Sequence, residues 1–277
     1  MRAGLRFKEE KKMMKLGFVG TGNMATAMMG GILANGLAKA DEIIGADLSE
    51  AGRKKVQETY GICVTADNKE AARQAKILIL SVKPQFYSDV IADIKDEITD
   101  NHLIITIAPG KTLTWVEEQF GKPVKIIRTM PNTPAMVGEG MTAVCKNEYV
   151  TEKEMEEALQ ILGSFGKAEV IPERLMDAVV SVSGSSPAYV FILIEAMADA
   201  AVSGGMPRSQ AYKFAAQAVM GSAKMVLETG RHPAELKDMV CSPAGTTIEA
   251  VRVLEERGFR SAVIEAMKTC EAISKSL

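Results

Sequence analysis

The residues best suited to chemistry begin with 15–25, which read KLGFVGTGNMA. Within them Gly20-x-Gly22-x-x-Ala25 closes an apolar run and opens an amphipathic one. Gly20 allows a tight turn, Gly22 lets the backbone approach a pyrophosphate, and small Ala25 permits close helix–strand packing. The phosphates of a dinucleotide would rest on the free N–H groups at the helix start. Thr21, Asn23 and Met24 complete this cofactor-binding turn. The second apolar run ends at Asp47. An acid there accepts hydrogen bonds from an adenosine ribose, which favours NAD. Arg53 and Lys54 follow closely and could reach a 2′-phosphate, so NAD and NADP both stay open. Asp47 also fits an ordinary helix-starting acid. A later apolar run ends in Ser81-Val82-Lys83-Pro84. Ligands of open α/β sheets bind outside the carboxyl ends of the strands, so these residues would meet cofactor ribose or phosphate. The plainer reading of Lys83 is a solvated loop lysine.

Two stretches in the second half are dense in small and hydroxyl residues, Ser183–Tyr189 (SGSSPAY) and Cys241–Thr247 (CSPAGTT). Both lead into helical periodicity, so free N–H groups and hydroxyls can converge on a small anion. No lysine or arginine lies between Val240 and Val251, so such a site relies on backbone dipoles. Two ordinary N-caps are the plainer alternative. Acid–base groups are scarce. The two histidines, His102 and His232, look peripheral, and a multi-histidine metal site is excluded. Dehydrogenases of 3-hydroxy acids with a similar two-domain plan carry a lysine on the first long helix of the second domain. This chain has none between Leu175 and Tyr212. A ketone needs a proton donor for its developing alkoxide. A C=N bond protonated by solvent is already electrophilic, and needs only positioning and one hydrogen-bond partner.

These clusters must be held by elements of two kinds. Strand-like runs occur at Lys15–Gly20, Glu42–Ala46, Lys76–Ser81, Leu103–Ile107 and Val124–Arg128, with helical patterns at Met24–Asn35, Glu50–Tyr60 and Thr112–Phe120. That alternation implies an α/β Rossmann-type domain with a parallel sheet covered on both faces. Met141–Cys145 and Ala168–Ile171 would extend the sheet at one edge, around a helix after Thr151. From Pro172 onward the pattern is all-α. Ser186-Pro187, Pro207 and Pro233 open helices, while Gly204-Gly205, Gly230 and Gly258 stop them. The expected division is an extension over 1–13, a dinucleotide-binding domain over 14–171 and a helical substrate and dimerisation domain over 172–277. The helix Pro187–Ser203 is apolar on nearly every face, interrupted only by Glu195 and Asp199. It must be buried on all sides, in a core or against a second subunit.

Composition sets the outer bounds. The chain has 277 residues, with 33 lysines and arginines against 35 aspartates and glutamates. A near-neutral charge argues against a nucleic-acid or anionic-membrane surface. No run of fully apolar residues reaches the ~18 needed to span a bilayer. Cys63, Cys145, Cys241 and Cys270 form no C-x-x-C pair and read as reduced thiols of a cytoplasmic protein. The first twelve residues hold five basic and two acidic side chains with no apolar core after them, unlike a signal peptide.

Five separated segments together resemble the pyrroline-5-carboxylate reductase family: Gly20–Ala25, Val82–Pro84, Arg128–Ala135 (RTMPNTPA), Ser183–Tyr189 and Leu236–Thr247 (LKDMVCSPAGTT). The resemblance runs from about Met14 to near the C-terminus. It implies reduction of 1-pyrroline-5-carboxylate to L-proline by hydride from NADPH, with NADH as the alternative donor. It implies that residues 20–25 hold the pyrophosphate and that Asn68 stands near the adenosine ribose. Ser81, Val82 and Lys83 would line the cofactor, and Ala108, Met130 and Asn132 would flank its nicotinamide end. Ser242, Ala244, Gly245, Thr246 and Thr247 would hold the substrate carboxylate, with Thr247 hydrogen-bonding the ring nitrogen. Intertwined homodimers, assembled further as five dimers, are implied too. Two departures stand out. Ala244 replaces the usual glycine, at a local cost if its φ is positive. Pro109 replaces the usual alanine and removes an N–H.

Overall fold

Strands form where β-branched residues and leucines run together. The computed structural model describes residues 14–276; the expected N-terminal extension lies outside the described residues. The strands are β1 (Met14–Val19), β2 (Ile43–Ala46), β3 (Cys63–Thr65), β4 (Ala75–Leu80), β5 (Leu103–Thr106), β6 (Lys125–Met130), β7 (Gly140–Lys146) and β8 (Gly166–Val170). They make one sheet in the order β3-β2-β1-β4-β5-β6-β7-β8. Neighbours from β3 to β6 are parallel. β7 departs from the expected parallel sheet and pairs antiparallel with β6, Arg128 opposite Cys145. Their connection holds only the 3-10 turn Thr133–Val137, too short for the crossover that a parallel neighbour needs. β8 is again parallel to β7, extending the sheet edge as the alternation implied.

Six helices cover this sheet: α1 (Asn23–Ala34), α2 (Glu50–Tyr60), α3 (Asn68–Gln74), α4 (Tyr87–Ile94), α5 (Leu113–Phe120) and α6 (Glu152–Gly163). Successive strand residues point to opposite faces, so Ile77 and Ile79 join one core with Met28 and Phe165. Leu78 and Leu80 join the other with Tyr87 and Val116. Burial on both faces explains the unbroken apolar strand runs.

Beyond β8 lie the short helix α7 (Met176–Val179), a π-helical turn (Val180–Gly184), and α8 (Ser186–Ser203), α9 (Arg208–Thr229), α10 (Pro233–Val240), α11 (Thr246–Glu256) and α12 (Phe259–Ser274). The chain divides into two compact units. One runs to Gly184 and takes back Ala272 onward; the other is Ser185–Glu271. The expected boundary at 171/172 therefore differs by the stretch 172–184, which stays with the sheet. There Met176 is buried in the sheet's core. Glu173 accepts from the buried Arg128 at 2.8 Å and from the Leu113 N–H at 2.8 Å. Asp177 accepts from the Ser274 hydroxyl at 2.8 Å.

The helix punctuation follows the sequence closely. α8 is opened by Ser185 with proline in its first turn, one residue before the expected cap. Pro207 opens α9, and Gly230 ends it in the left-handed region at φ 64°. His232 caps α10 by accepting from the Ala234 N–H at 3.2 Å. α8 packs along α9, yet Phe191 and Ile192 remain 62% and 65% exposed. The helical stretch Glu173–Ser203 is also long and apolar enough to cross a membrane by length and composition, with an 18-residue window of mean hydropathy 1.4.

Candidate dinucleotide groove and anion loop

At the carboxyl end of β1 the chain must turn sharply under the end of β4. Gly20 does so at φ 97°, donating its N–H to the Ala46 carbonyl at 2.8 Å. A β-carbon there would lie 2.9 Å from the Ser81 backbone, so this turn admits only glycine. The Ser81 hydroxyl locks the turn by donating to the Gly20 carbonyl at 2.7 Å. Gly22 caps α1 with no side-chain hydrogen bond, and no atom lies within 4 Å of where its β-carbon would be. The first turn of α1 holds no acid, and Ala25 is fully buried beneath it. Unclaimed N–H groups and open space above Gly22 are what a pyrophosphate needs.

Beside this turn lies a groove of about 690 Å³ across the ends of β1, β2 and β4. Gly20, Gly22, Asp47, Asn68, Ser81, Val82 and Lys83 all line it, so seven residues expected to hold cofactor converge there. Leu48, Phe86 and Val90 add apolar wall of the kind an adenine ring fits. Asn68, the first residue of α3, donates to Asp93 at 3.4 Å. Lys83 is exposed and opens the 3-10 turn Pro84–Phe86.

Asp47 behaves differently from a ribose acceptor awaiting its ligand. Its Oδ2 accepts from both the Thr21 N–H at 2.7 Å and the Thr21 hydroxyl at 2.8 Å. Its Oδ1 accepts from the Ser49 N–H at 2.9 Å. The first turn of α2 lies directly on this pair, and a β-carbon at Gly52 would come within 3.1 Å of the Thr21 hydroxyl. Arg53 folds back from that turn, donating from Nη1 to the Asp47 carbonyl at 2.6 Å and the Leu48 carbonyl at 3.1 Å.

Ala108, Met130 and Asn132 do not line this groove. Ala108 is buried just past β5. Asn132 is buried and spans two segments: its Nδ2 donates to the Ser183 carbonyl at 2.9 Å, and its Oδ1 accepts from the Met141 N–H at 2.8 Å. A β-carbon at Gly184 would fall 2.7 Å from the Met130 methyl. The RTMPNTPA segment is thus fastened to the π-helical turn.

Tyr87 was not singled out from sequence. Its hydroxyl donates to the Leu80 carbonyl at 2.5 Å and accepts from the Ile107 N–H at 3.2 Å, tying β4 to the end of β5. Burial pushes its phenol well above the usual range. His102, expected to be peripheral, is buried. Its Nδ1 accepts from the Thr99 N–H at 2.9 Å, which leaves Nε2–H facing the Ala72 carbonyl at 3.0 Å. That is a structural histidine, bridging the loop before β5 to the end of α3.

In the helical unit, α10 ends at Cys241 and a tight turn leads to α11. The Gly245 N–H donates to the Ser242 carbonyl at 3.0 Å, with Pro243 and Ala244 between. Ala244 has φ 55°, and among the described residues it is the one non-glycine with positive φ. Proline followed by a left-handed residue is the pattern of a type II turn, where glycine is usual. A β-carbon on Gly245 would collide with the Ser242 hydroxyl. Gly245 caps α11 without a side-chain hydrogen bond. The N–H groups of Thr246 and Thr247 therefore open onto the turn.

Comparison with known proteins gives a consistent result. The family model described as pyrroline-5-carboxylate reductase dimerisation matches residues 173–277. One described as NADP oxidoreductase coenzyme F420-dependent matches residues 15–110. A pyrroline-5-carboxylate reductase of Escherichia coli K12 is 53% identical over 266 residues, covering 95% of this chain and 99% of that protein. One of Methanosarcina acetivorans is 44% identical over 263 residues, covering 95% and 97%. The crystal structure of the Plasmodium falciparum pyrroline carboxylate reductase with NADP bound superposes with a TM-score of 0.87 at 32% identity, covering 95% and 97%. That of a Coxiella burnetii pyrroline-5-carboxylate reductase gives 0.88 at 33%, covering 96% and 98%.

Proposed function

The chain belongs to the pyrroline-5-carboxylate reductase family, and from that premise we propose how its own residues carry out the reaction. The protein is an NAD(P)H-dependent oxidoreductase that reduces the C=N bond of 1-pyrroline-5-carboxylate to give L-proline. NAD(P)H supplies the hydride. The N–H groups of Asn23, Met24 and Ala25 hold the pyrophosphate, and Thr21 keeps their turn in shape. Ser81, Val82, Lys83 and Asn68 bind along the adenosine half, while Ala108, Met130 and Asn132 form the nicotinamide end. Asn132 acts there by holding its loop.

The observation that carries the substrate assignment is the Ser242–Gly245 turn running into an α11 whose first N–H groups no side chain claims. A carboxylate placed there gains charge-assisted hydrogen bonds without a basic residue. Thr247, in the first turn of α11, hydrogen-bonds the ring nitrogen and orients the imine carbon. Because a protonated imine is already electrophilic, no strong acid is required of the protein. Thr247→Ala should lower kcat/KM for the imine about 10-fold while NADPH affinity stays unchanged, since one transition-state hydrogen bond is lost. Wild-type kinetics in that variant would refute the role.

The helical unit pairs with a second copy of the chain to give a homodimer, five of which join as a decamer. The exposed apolar surface of α8 supports the pairing. The four free cysteines fit a reducing cytoplasm.

A further inference from the structure

We propose that Arg53 reads the 2′-phosphate of NADPH, and that Asp47 is withdrawn from ribose recognition to serve as a positioning residue for the glycine turn. The proposal deepens the cofactor half of the function above and rests on it. An acid at the end of the second strand is ordinarily the feature that selects NAD, because it accepts from the ribose 2′-hydroxyl and repels a phosphate. Here both carboxylate oxygens of Asp47 already accept from the protein, two bonds from Thr21 and one from Ser49. Three of the carboxylate's roughly four acceptor positions are thereby taken, so one position on Oδ1 is left for a ribose hydroxyl instead of a free pair of oxygens. The glycine at 52 is what lets α2 settle on this pair, so the arrangement is built into the helix packing.

Arg53 lies half-buried one helical turn along, its Nη1 bound to the Asp47 and Leu48 carbonyls. Asp47, Leu48 and Ser49 all line the dinucleotide groove. The guanidinium does not itself line the groove but is anchored through one nitrogen to the carbonyls of two residues that do. Its Nε and Nη2 make no hydrogen bond to a described residue, and a guanidinium fork matches a phosphate. Ser49 lines the groove, and its hydroxyl is engaged only as acceptor from the Gly52 N–H at 3.2 Å, so its own proton remains to donate. A dinucleotide whose adenosine ribose lies over Leu48 and Ser49 brings its 2′-oxygen to this cation rather than to a free acid.

The test compares NADPH with NADH for the wild type, Arg53→Ala and Arg53→Gln, with pyrroline-5-carboxylate as acceptor. The side-chain amide introduced by Arg53→Gln can still donate to the Asp47 carbonyl, so this variant keeps the loop while removing the charge. Alongside, 2′,5′-ADP and 5′-AMP are measured by calorimetry as binding probes, independent of turnover. Expected are a wild-type preference for NADPH, and a drop of at least 10-fold in kcat/KM for NADPH in both variants. NADH should change by less than 2-fold, and tighter binding of 2′,5′-ADP over 5′-AMP should vanish. Equal losses for both nucleotides in Arg53→Gln would overturn the proposal, as would a wild type that binds 5′-AMP as tightly as 2′,5′-ADP. Intact 2′,5′-ADP discrimination with no turnover of the imine by either cofactor would sustain the Arg53 assignment and sink the substrate assignment.

Discussion

The two halves of the chain treat apolar residues in opposite ways. In the sheet unit Leu78, Ile79, Ile104 and Ile126 are fully buried, and helices close both faces within one copy. In the helical unit Phe191, Ile192, Phe214 and Leu227 are 62–83% exposed. Burying a side chain of this size contributes roughly 1.5–3 kcal/mol. The sheet unit has collected that stabilisation already, whereas the helical unit has left it for another surface. The match of residues 173–277 to a dimerisation model agrees with the proposal that a second copy covers that surface. The same reading accounts for a stretch apolar enough to suit a membrane. Glu195 and Asp199, one turn apart in its second half, would be costly in hydrocarbon but are tolerable at a protein interface.

The sharpest way to break this contrast is a charge on the exposed face. Ile192→Asp should lower the mass measured by light scattering from an oligomer to a single chain of about 30 kDa, or leave the protein insoluble. Unchanged mass and stability would show that the face is not an interface. Leu78→Ala should instead cost about 3 kcal/mol through a core cavity and leave the mass alone. Next in size is Arg128→Leu. Arg128 is 6% exposed and pairs with Glu173 at 2.8 Å, fastening the stretch after β8 to the sheet. Removing it strands a partly buried carboxylate, so chemical denaturation should show a loss of about 3 kcal/mol. A change under about 1 kcal/mol would mean that Met176 and the bonds of Glu173 to the Leu113 N–H and of Asp177 to Ser274 hold the stretch without the ion pair.

A smaller effect separates two cysteines of the sheet unit. Burial, with the Glu173 charge, pushes the Cys145 thiol up to about 12. The folded state therefore keeps a proton that the unfolded chain gives up near pH 9, so stability falls as pH rises above 9 toward 12. At about pH 8.5 Cys63 should react with iodoacetamide while Cys145 stays unmodified until denaturant is added. Peptide mapping that found both labelled at one rate would contradict a closed sheet interior.

How far the sequence revealed the molecule depends on how locally each feature is determined. The glycine turn, the long apolar strands and the proline-opened helices were legible because each needs only its own residues. β3, three residues long, and the seven-residue α3 escaped, since pairing with β2 and packing decide elements too short for a period to show. The antiparallel β7 escaped because the strand run does not state its direction; the short connection does. Within the groove the participants were legible but not their partners. Nothing in the spacing of Thr21 and Asp47 announces that the threonine claims the acid, and Tyr87 gave no signal until its hydroxyl was seen between β4 and β5. Side-chain partners far apart in sequence are fixed only by the tertiary fold.

The smallest expected effect tests the helical unit at its one strained residue. Ala244 sits at φ 55° in a turn whose geometry suits glycine, and the left-handed region costs an alanine about 1 kcal/mol. Ala244→Gly removes that strain but returns backbone freedom to the unfolded chain, which offsets part of the gain. A net stabilisation of about 0.5 kcal/mol should raise Tm by roughly 1–2 °C. The turn is also held by the Gly245 N–H on the Ser242 carbonyl and by the contact that excludes any β-carbon at 245. The loop should therefore keep its shape, and KM for the imine should stay within about 2-fold. A lower Tm would show that Ala244 is not strained. A large rise in KM with unchanged Tm would show instead that alanine at 244 stiffens the turn for its anion, making the departure from glycine a gain in substrate binding rather than a cost in folding.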